Sequence, residues 1–423
     1  MLQKAALTVH APISDQATGS VLFVTAVRLR RGPRGLQLDD QTSAGLVRHA
    51  ENFRQVKFAG IVLEGDREEN TSTTWIDVVD LPCYDQLKFI ELPFAYKAKD
   101  FARTYRKTRA SLKEEIRSAD HLCFTVGYLI GDWGAIAALE ANAQGRKFAI
   151  WFDRVEHDVI LRTLSAHRLR RRIKERATLP LMKWYHRYLI GRSTLGLFQG
   201  RDTYDTYSGA SSNPHCMYDV HTQETDQINE HTLDQKIERI LSLAPIRVSY
   251  VGRAAPMKGP EDWVSALAIA AQGNPSIEAC WTGDGPLLDV MEEMIQKNHL
   301  QDKVKLAGYV GDREALLQAL RDSDIFVFCH KTAESPRCLI EALVCGSALV
   351  GYHSPYAEDL VSEHGGGALV PRDDIEALGR QITELNNDRA KLAQLVSAAA
   401  ISGKRFDERS IYQRRATLLK SYA

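Results

Sequence analysis

The chain has 423 residues, too many for one ordinary hydrophobic core and enough for two α/β domains. With 44% apolar and 26% charged residues it has the balance of a globular protein, and its formal net charge of zero gives no whole-molecule field for nucleic acid. Its seven scattered cysteines, with no Cys-x-x-Cys pair, argue against a disulfide framework or a structural zinc and fit reduced cytosol.

In chain order, the opening MLQKAALTVHAPISD lacks the continuous apolar core of a signal peptide. No stretch approaches the roughly 20 apolar residues of a membrane span. The expectation is a cytoplasmic protein, soluble or peripheral on the inner face of the membrane. Strands are expected at 20–27, 57–64, 87–92, 121–127, 147–152 and 194–199, and helices at 41–53, 98–117, 133–143 and much of 158–191. In WFDRVEHDVI the acids Asp153, Glu156 and Asp158 cluster with His157. They read either as an acid-rich helix start or as a site for substrate hydroxyls, with His157 the candidate catalytic group. Between 162 and 192 ten Lys or Arg, among them Arg168, Arg170, Arg171 and Arg172, stand against one acid, Glu175, with Trp184, Tyr185 and Tyr188 interleaved. A solvated helix face is one reading, and a local anionic partner such as a lipid surface or a polyprenyl-diphosphate acceptor is the other. No nucleic-acid module is visible.

The polar stretch 220–236 reads as the crossing between lobes, with a hinge expected at 236–246. The expected division is 1–236, 237–404, and a terminal helix at 405–423 packing back on the first lobe. Beyond it, apolar runs at 246–252, 277–283, 304–310, 325–329, 348–352 and 367–370 alternate with helix-like segments. That is the pattern of a parallel sheet covered on both faces, in which ligands sit beyond the carboxyl ends of the strands. Gly252 lets a ligand approach the first strand's end, and Arg253 and Lys258 set two cations over the same edge. The glycines of TGDGPL are explained by turn geometry, and main chain around Tyr309 and Val310 can read the edge of a base. After the strand ending at Cys329, Ser335 is expected to cap a helix and Pro336 to open it. The N–H groups of Arg337, Cys338 and Leu339 then form an anion site, with the Arg337 charge beside it. Glu341, farther along the helix, suits vicinal hydroxyls, and Glu334 can face a sugar ring ahead of the phosphates.

VGRAAPMKG, WTGDGPLL, VKLAGYV and ESPRCLIEALVCG, in this order, resemble family 4 retaining glycosyltransferases of the GT-B fold over about residues 246–375. The resemblance implies two Rossmann-like parallel-sheet domains facing across a cleft, the first for the acceptor and the second for a nucleotide sugar. It implies that Arg253 and Lys258 bind the donor diphosphate, Glu341 the ribose and Glu334 the transferred sugar, in a retaining transfer to a glycan or polyprenyl-linked acceptor. No metal motif is visible, and no cofactor is expected besides the donor. Two departures stand out. The family's glutamates usually enclose seven residues, whereas Glu334 and Glu341 enclose six, which places Ala333 at the expected first position. The histidine that follows the fourth strand in many relatives is absent from FTVGYLIGDWG. A nucleotide-sugar epimerase or hydrolase, and a degenerate sugar-binding scaffold, are the alternative readings.

Overall fold

The computed structural model describes residues 17–63, 74–164, 169–273, 277–332 and 334–423, with the side chains of Thr163, Arg170, Arg171 and Gly273 outside the description. Arg168 and Ala333 therefore lie outside the described residues.

The first half contains β1 (Ser20–Gly32), β2 (Gly35–Asp39), α1 (Asp40–Ala50), β3 (Gln55–Val62), β4 (Trp75–Asp77), β5 (Leu87–Pro93), α2 (Ala98–Ser118), β6 (His121–Thr125), α3 (Trp133–Ala143), β7 (Ala149–Phe152), α4 (Glu156–Thr163), α5 (Leu169–Arg192), β8 (Leu195–Gln199), α6 (Gly200–Tyr207) and β9 (Pro214–Met217). Strands β5, β3, β1, β6, β7, β8 and β9 lie side by side in parallel. At its far end β1 turns back as β2, with Gly32 opposite Gly35, and β4 pairs with β2, giving a nine-stranded sheet among the described residues. The arginine-rich segment that follows residue 27 is thus an antiparallel ribbon.

The second half contains α7 (Glu230–Leu241), β10 (Ile246–Val251), α8 (Pro260–Gly273), β11 (Ile277–Thr282), α9 (Leu288–Lys297), β12 (Val304–Gly308), α10 (Arg313–Asp322), β13 (Ile325–Phe328), α11 (Arg337–Val344), β14 (Ala348–Tyr352), α12 (Pro355–Val361), β15 (Gly367–Val370), α13 (Ile375–Asn387), α14 (Arg389–Gly403) and α15 (Glu408–Tyr422). Its parallel sheet runs β12-β11-β10-β13-β14-β15. The connection reverses direction between β10 and β13, and at such a switch point the loops part and leave a crevice. Both halves are mixed α/β with parallel sheets, and the two-lobed fold is the GT-B fold.

The boundary differs from the expected one. Helix α7, capped by the Asn229 side chain on the Thr232 N–H, packs on α14 in the second lobe. Its buried Lys236 donates to the carbonyls of Ser323, Cys345 and Gly346 at 2.8, 3.1 and 3.0 Å, where α10 and α11 end. A cation there answers the partial negative charge of two helix C-termini. The first crossing is therefore at 218–229, overlapping the earlier part of the expected 220–236, and the expected hinge at 236–246 lies inside the second lobe, in and just after α7. The second is at 404–407, after which α15 returns to the first lobe against α1, β6 and β8. There Arg48 pairs with Glu408 at 2.5 Å, and the His121 ring lies 2.8 Å from the Ala423 carbonyl. Among the described residues no helix is long and apolar enough to cross a membrane.

Candidate functional site

At the switch point the loops after β10, β11 and β13 are knitted together. Gly252 sits at φ +151° and donates to the Thr282 carbonyl at 2.9 Å. A Cβ on Gly283 would lie 2.2 Å from the Gly252 carbonyl oxygen, and one on Gly285 would lie 2.5 Å from that of Ala254. The glycines of TGDGPL thus do more than turn: they let two main chains touch at the strand ends. Arg253 on this loop is exposed and has no partner among the described residues. Lys258 is partly buried and pairs with Glu334 at 2.5 Å, joining the first loop to the one after β13. The Lys331 N–H bonds the Met257 carbonyl at 2.9 Å, closing the same seam.

Helix α11 starts at Arg337, with Pro336 in the cap position and no side-chain cap. The serine expected to cap it does something else: Ser335 Oγ donates to the Gln199 carbonyl at 2.9 Å, across the cleft. The lobes meet so closely here that a Cβ on Gly200, at φ +71°, would lie 2.1 Å from Ser335 Oγ. The first N–H groups of α11, those of Arg337 and Cys338 among them, have no acceptor inside a helix. The Leu339 side chain is buried in the core, and burial pushes the Cys338 thiol up to about 12, so Cys338 is no nucleophile. The Arg337 guanidinium, expected beside a diphosphate, instead pairs with Asp219 and Gln41 on the first-lobe side.

Two cavities lie between the lobes. The larger, about 640 Å³, is lined by α1, Tyr309, Val310, Arg313 and Glu341. Tyr309 is exposed, its hydroxyl 3.5 Å from Thr74 Oγ1 across the opening. Glu341 is held by Arg313 at 3.1 Å, and Arg313 also bonds Asp226 at 3.1 Å and the His221 carbonyl at 2.9 Å. Arg313 escaped the sequence reading because, one residue past the Asp312 cap of α10, it looks like an ordinary helix-surface charge. The smaller cavity, about 370 Å³, is lined by the ends of β1, β6, β7 and β8 with α1, α15 and Arg337. Asp153, Asp219, His49, His221 and Arg415 face it. Burial and the nearby Asp219 raise the Asp153 carboxyl, whereas Arg337 and Arg415 outweigh burial and hold Asp219 below its ordinary range. Burial, helped by Arg337, takes His221 down to about 4, and burial takes His49 well below its ordinary value.

The acidic cluster after β7 therefore divides. Asp153 reaches this cavity, Glu156 pairs with Arg154 at 2.7 Å, and Asp158 pairs with Arg162 at 3.0 Å. His157 is buried away from both cavities, its Nδ1 3.2 Å from the Tyr207 hydroxyl, which His186 Nδ1 meets at 3.1 Å. Burial takes both histidines down to about 4. The structure does not bring His157 to Glu334, and it leaves no acid–base pair from this cluster except Asp153 at the cleft. After β6, where relatives carry a histidine, Asp132 shapes the loop by accepting the N–H groups of Gly127 and Tyr128, both at 2.8 Å.

Helix α5 carries two apolar stripes. Leu179, Met182, His186, Leu189 and Ile190 are buried inward, while Ile173, Leu181 and Trp184 are 62, 54 and 60% exposed outward. The outward set recurs at helical spacing with Tyr188, which stacks on Trp184 at 5.5 Å. Arg176, Lys183 and Arg187, all exposed, flank it.

Comparison with known proteins agrees with this geometry. Residues 235–401 match the family model for glycosyl transferases group 1. A 2-deoxystreptamine N-acetyl-D-glucosaminyltransferase of Streptomyces fradiae is 30% identical over 154 residues, which is 36% of this chain and 36% of that protein. The chain thus matches about a third of that relative's length. Among solved structures, Anabaena HepE in complex with UDP superposes with a TM-score of 0.65 at 16% identity, covering 95% of this chain and 100% of that one. Sucrose-phosphate synthase from Thermosynechococcus elongatus does so with 0.63 at 14% identity, over 96% and 98%.

Proposed function

We propose that this chain, whose residues 235–401 match the family model for glycosyl transferases group 1, moves a sugar from a nucleotide donor to a hydroxyl of a glycan or lipid-linked acceptor. The observation that carries the reading is the switch point itself. There the unpartnered Arg253, the Lys258–Glu334 pair and the free N–H groups at the start of α11 stand on the loops that follow the neighbouring strands β10 and β13, chemistry fit for a diphosphate. HepE, solved with UDP and with UDP-glucose, supports a uridine donor. In this reading Gly252 admits the diphosphate to the main chain, and Tyr309 with Val310 receives the base. Glu341, steadied by Arg313, takes the ribose hydroxyls on its remaining lone pairs. Lys258 holds Glu334 toward the sugar.

The transfer retains configuration. The acceptor oxygen bonds to the anomeric carbon on the face the phosphate leaves, the carbon–oxygen bond to the diphosphate breaks, and the hydroxyl proton passes to the departing phosphate oxygen. Arg253 and Lys258 stabilise the growing negative charge, without a metal. An epimerase or hydrolase reading loses its support with His157 turned onto Tyr207.

The test is to offer uridine, guanosine and adenosine diphosphate sugars with and without glycan acceptors. Nucleotide release is followed in chelator, and the product's anomeric configuration is read by NMR. Acceptor-dependent release with retention is expected. Inversion would remove the mechanism, release without acceptor would favour a hydrolase, and binding without release would favour a scaffold.

The outward stripe of α5, flanked by Arg176, Lys183 and Arg187, supports a peripheral seat on an anionic membrane, on its cytoplasmic face. Each cation adds roughly 1 kcal/mol near such a surface and is screened by salt. Vesicles containing anionic lipid should sediment the chain at low salt and release it at high salt. Replacing Trp184 and Lys183 together should abolish this. Equal binding to neutral vesicles would leave α5 a solvated helix.

A further inference from the structure

The smaller cavity holds buried polar atoms that nothing in the chain satisfies. Arg415, 3% exposed, has Nε and one terminal nitrogen without a hydrogen-bond acceptor. His49 Nδ1, Gln199 Oε1 and both ring nitrogens of His221 are likewise without partners. Arg415 is not loose: its guanidinium lies 3.8 Å from the centre of the Trp151 ring and 4.6 Å from that of Tyr412. Asp219 Oδ1 lies 3.8 Å from the Arg415 terminal nitrogen, beyond hydrogen-bond distance, and the other Asp219 oxygen is taken by Arg337. Buried guanidinium donors left open are costly, and in native proteins such groups find a partner.

We infer that this cavity receives an acceptor sugar bearing a carboxylate, which the Nε edge of Arg415 grips through two parallel hydrogen bonds. The two open donors lie on one edge of a planar guanidinium, a fork that fits both oxygens of a carboxylate and only one lone hydroxyl. Charge leads to the same class. Two arginines, Arg337 and Arg415, line this cavity and hold the Asp219 carboxyl below its ordinary range, while the Asp153 carboxyl is raised. A carboxylate is the charge-complementary partner for the open edge of Arg415. A volume of about 370 Å³ accommodates a single sugar ring, within the range of roughly 300–1,000 Å³ for small-molecule sites. The orphaned nitrogens of His49 and His221 and the Gln199 oxygen are left for ring hydroxyls. The word acceptor rests on the glycosyl-transfer reading; the carboxylate site does not.

The test uses the full chain and three probes: methyl glucuronide, methyl glucoside and glucose 6-phosphate. Binding is followed by calorimetry and by tryptophan fluorescence, since Trp151 stacks on the gripping group. The glucuronide should bind at least 10-fold more tightly than the neutral glucoside and more tightly than the dianionic phosphate. Arg415→Lys, which keeps the charge and loses the fork, should remove that preference while nucleoside diphosphate affinity stays unchanged, showing that the variant is folded. Trp151→Phe should abolish the fluorescence response. Equal binding of acidic and neutral sugars, a preference that survives Arg415→Lys, or a fluorescence change that survives Trp151→Phe would each overturn the site. Tighter binding of the phosphate would replace the carboxylate by a phosphate ester and overturn the ligand class. Arg415-dependent glucuronide binding with no transfer from any donor would keep the carboxylate site and remove the acceptor role, separating this inference from the reading it rests on.

Discussion

At the strand ends of the C-terminal lobe main chain meets main chain. Gly252, Gly283 and Gly285 bring loops into backbone contact, and the charge there is Arg253 with the Lys258–Glu334 pair. At the facing edge of the N-terminal lobe the lining is side chain: Asp153, Asp219, His49, His221 and Arg415. Main chain offers the same N–H groups whatever the sequence, and suits a ligand part that is always the same, such as a diphosphate. Side chains can be exchanged one at a time, and suit a ligand that differs between relatives. The two edges also differ in how they are held. The first is built by loops within one sheet, whereas the second depends on α15, which arrives from beyond the other lobe.

The largest test of that contrast is removal of residues 408–423. It strips Tyr412, Ala416 and Leu419, all buried, and the Arg48–Glu408 pair from the N-terminal lobe. With roughly 2–5 kcal/mol for each large buried side chain, that lobe should lose more than about 5 kcal/mol. Hydrogen exchange should rise in β1, β6 and β8 while the C-terminal lobe keeps its protection and its nucleotide. Uniform loss of protection would mean that the lobes do not fold separately.

Acid should also load the buried histidines of the N-terminal lobe. The pKa values of His157 and His186 fall to about 4 on folding, so the unfolded chain binds more protons between about pH 6.5 and 4. Stability is fully present above the unfolded value and is lost as pH falls through this window. The loss approaches about 2 kcal/mol per histidine at pH 5 if each is fully shielded, and less for the partly open His157. His186→Phe should flatten the thermal-stability profile between pH 7 and 5. A slope equal to that of the parent would reject the assignment.

On the C-terminal side, Arg253→Ala and Lys258→Ala should each weaken nucleoside diphosphate binding by about 1–3 kcal/mol, with the acid profile unchanged. Glu341→Gln should weaken nucleotide binding and leave inorganic diphosphate binding alone, since an amide presents N–H where an oxygen was needed. Equal loss of both would remove the ribose role. The smallest effect belongs to the seam between the lobes. Ser335→Ala deletes the bond to the Gln199 carbonyl, at about 1 kcal/mol of closure, and should enlarge the radius of gyration seen by solution scattering.

The C-terminal lobe was legible because its strands are short, mostly apolar and β-branched runs that alternate with helix-like segments, two of them, β10 and β11, running into Gly252 and Gly283. The N-terminal ribbon was not, because Gly35–Asp39 is only five residues long and one of its partners, β4, lies more than thirty residues on in the chain. The expected crossing ran on too far because α7 anchors itself with Lys236, which hydropathy counts as surface although its ammonium lies among helix-end carbonyls. His157 misled for a similar reason: the residues that start α4 do not say which side of the helix faces the cleft. Ser335 carries a cap signal, but Gly200, through its lack of a Cβ, brings β8 close enough to take the hydroxyl. Arg415 could not be read at all, since its neighbours Trp151 and Asp219 lie far back in the chain.

The return of α15 also sets an order of events during synthesis. The Arg48–Glu408 bond spans 360 residues, and that between Thr194 Oγ1 and the Tyr422 carbonyl spans 228. At about 5–20 residues per second, a ribosome that has just delivered the strands of the N-terminal lobe needs tens of seconds more to deliver the helix that seals them. Through that interval the cavity lacks Tyr412 and Arg415 and its apolar flank stands open, a target for chaperones. The half of the protein made first is therefore the half finished last.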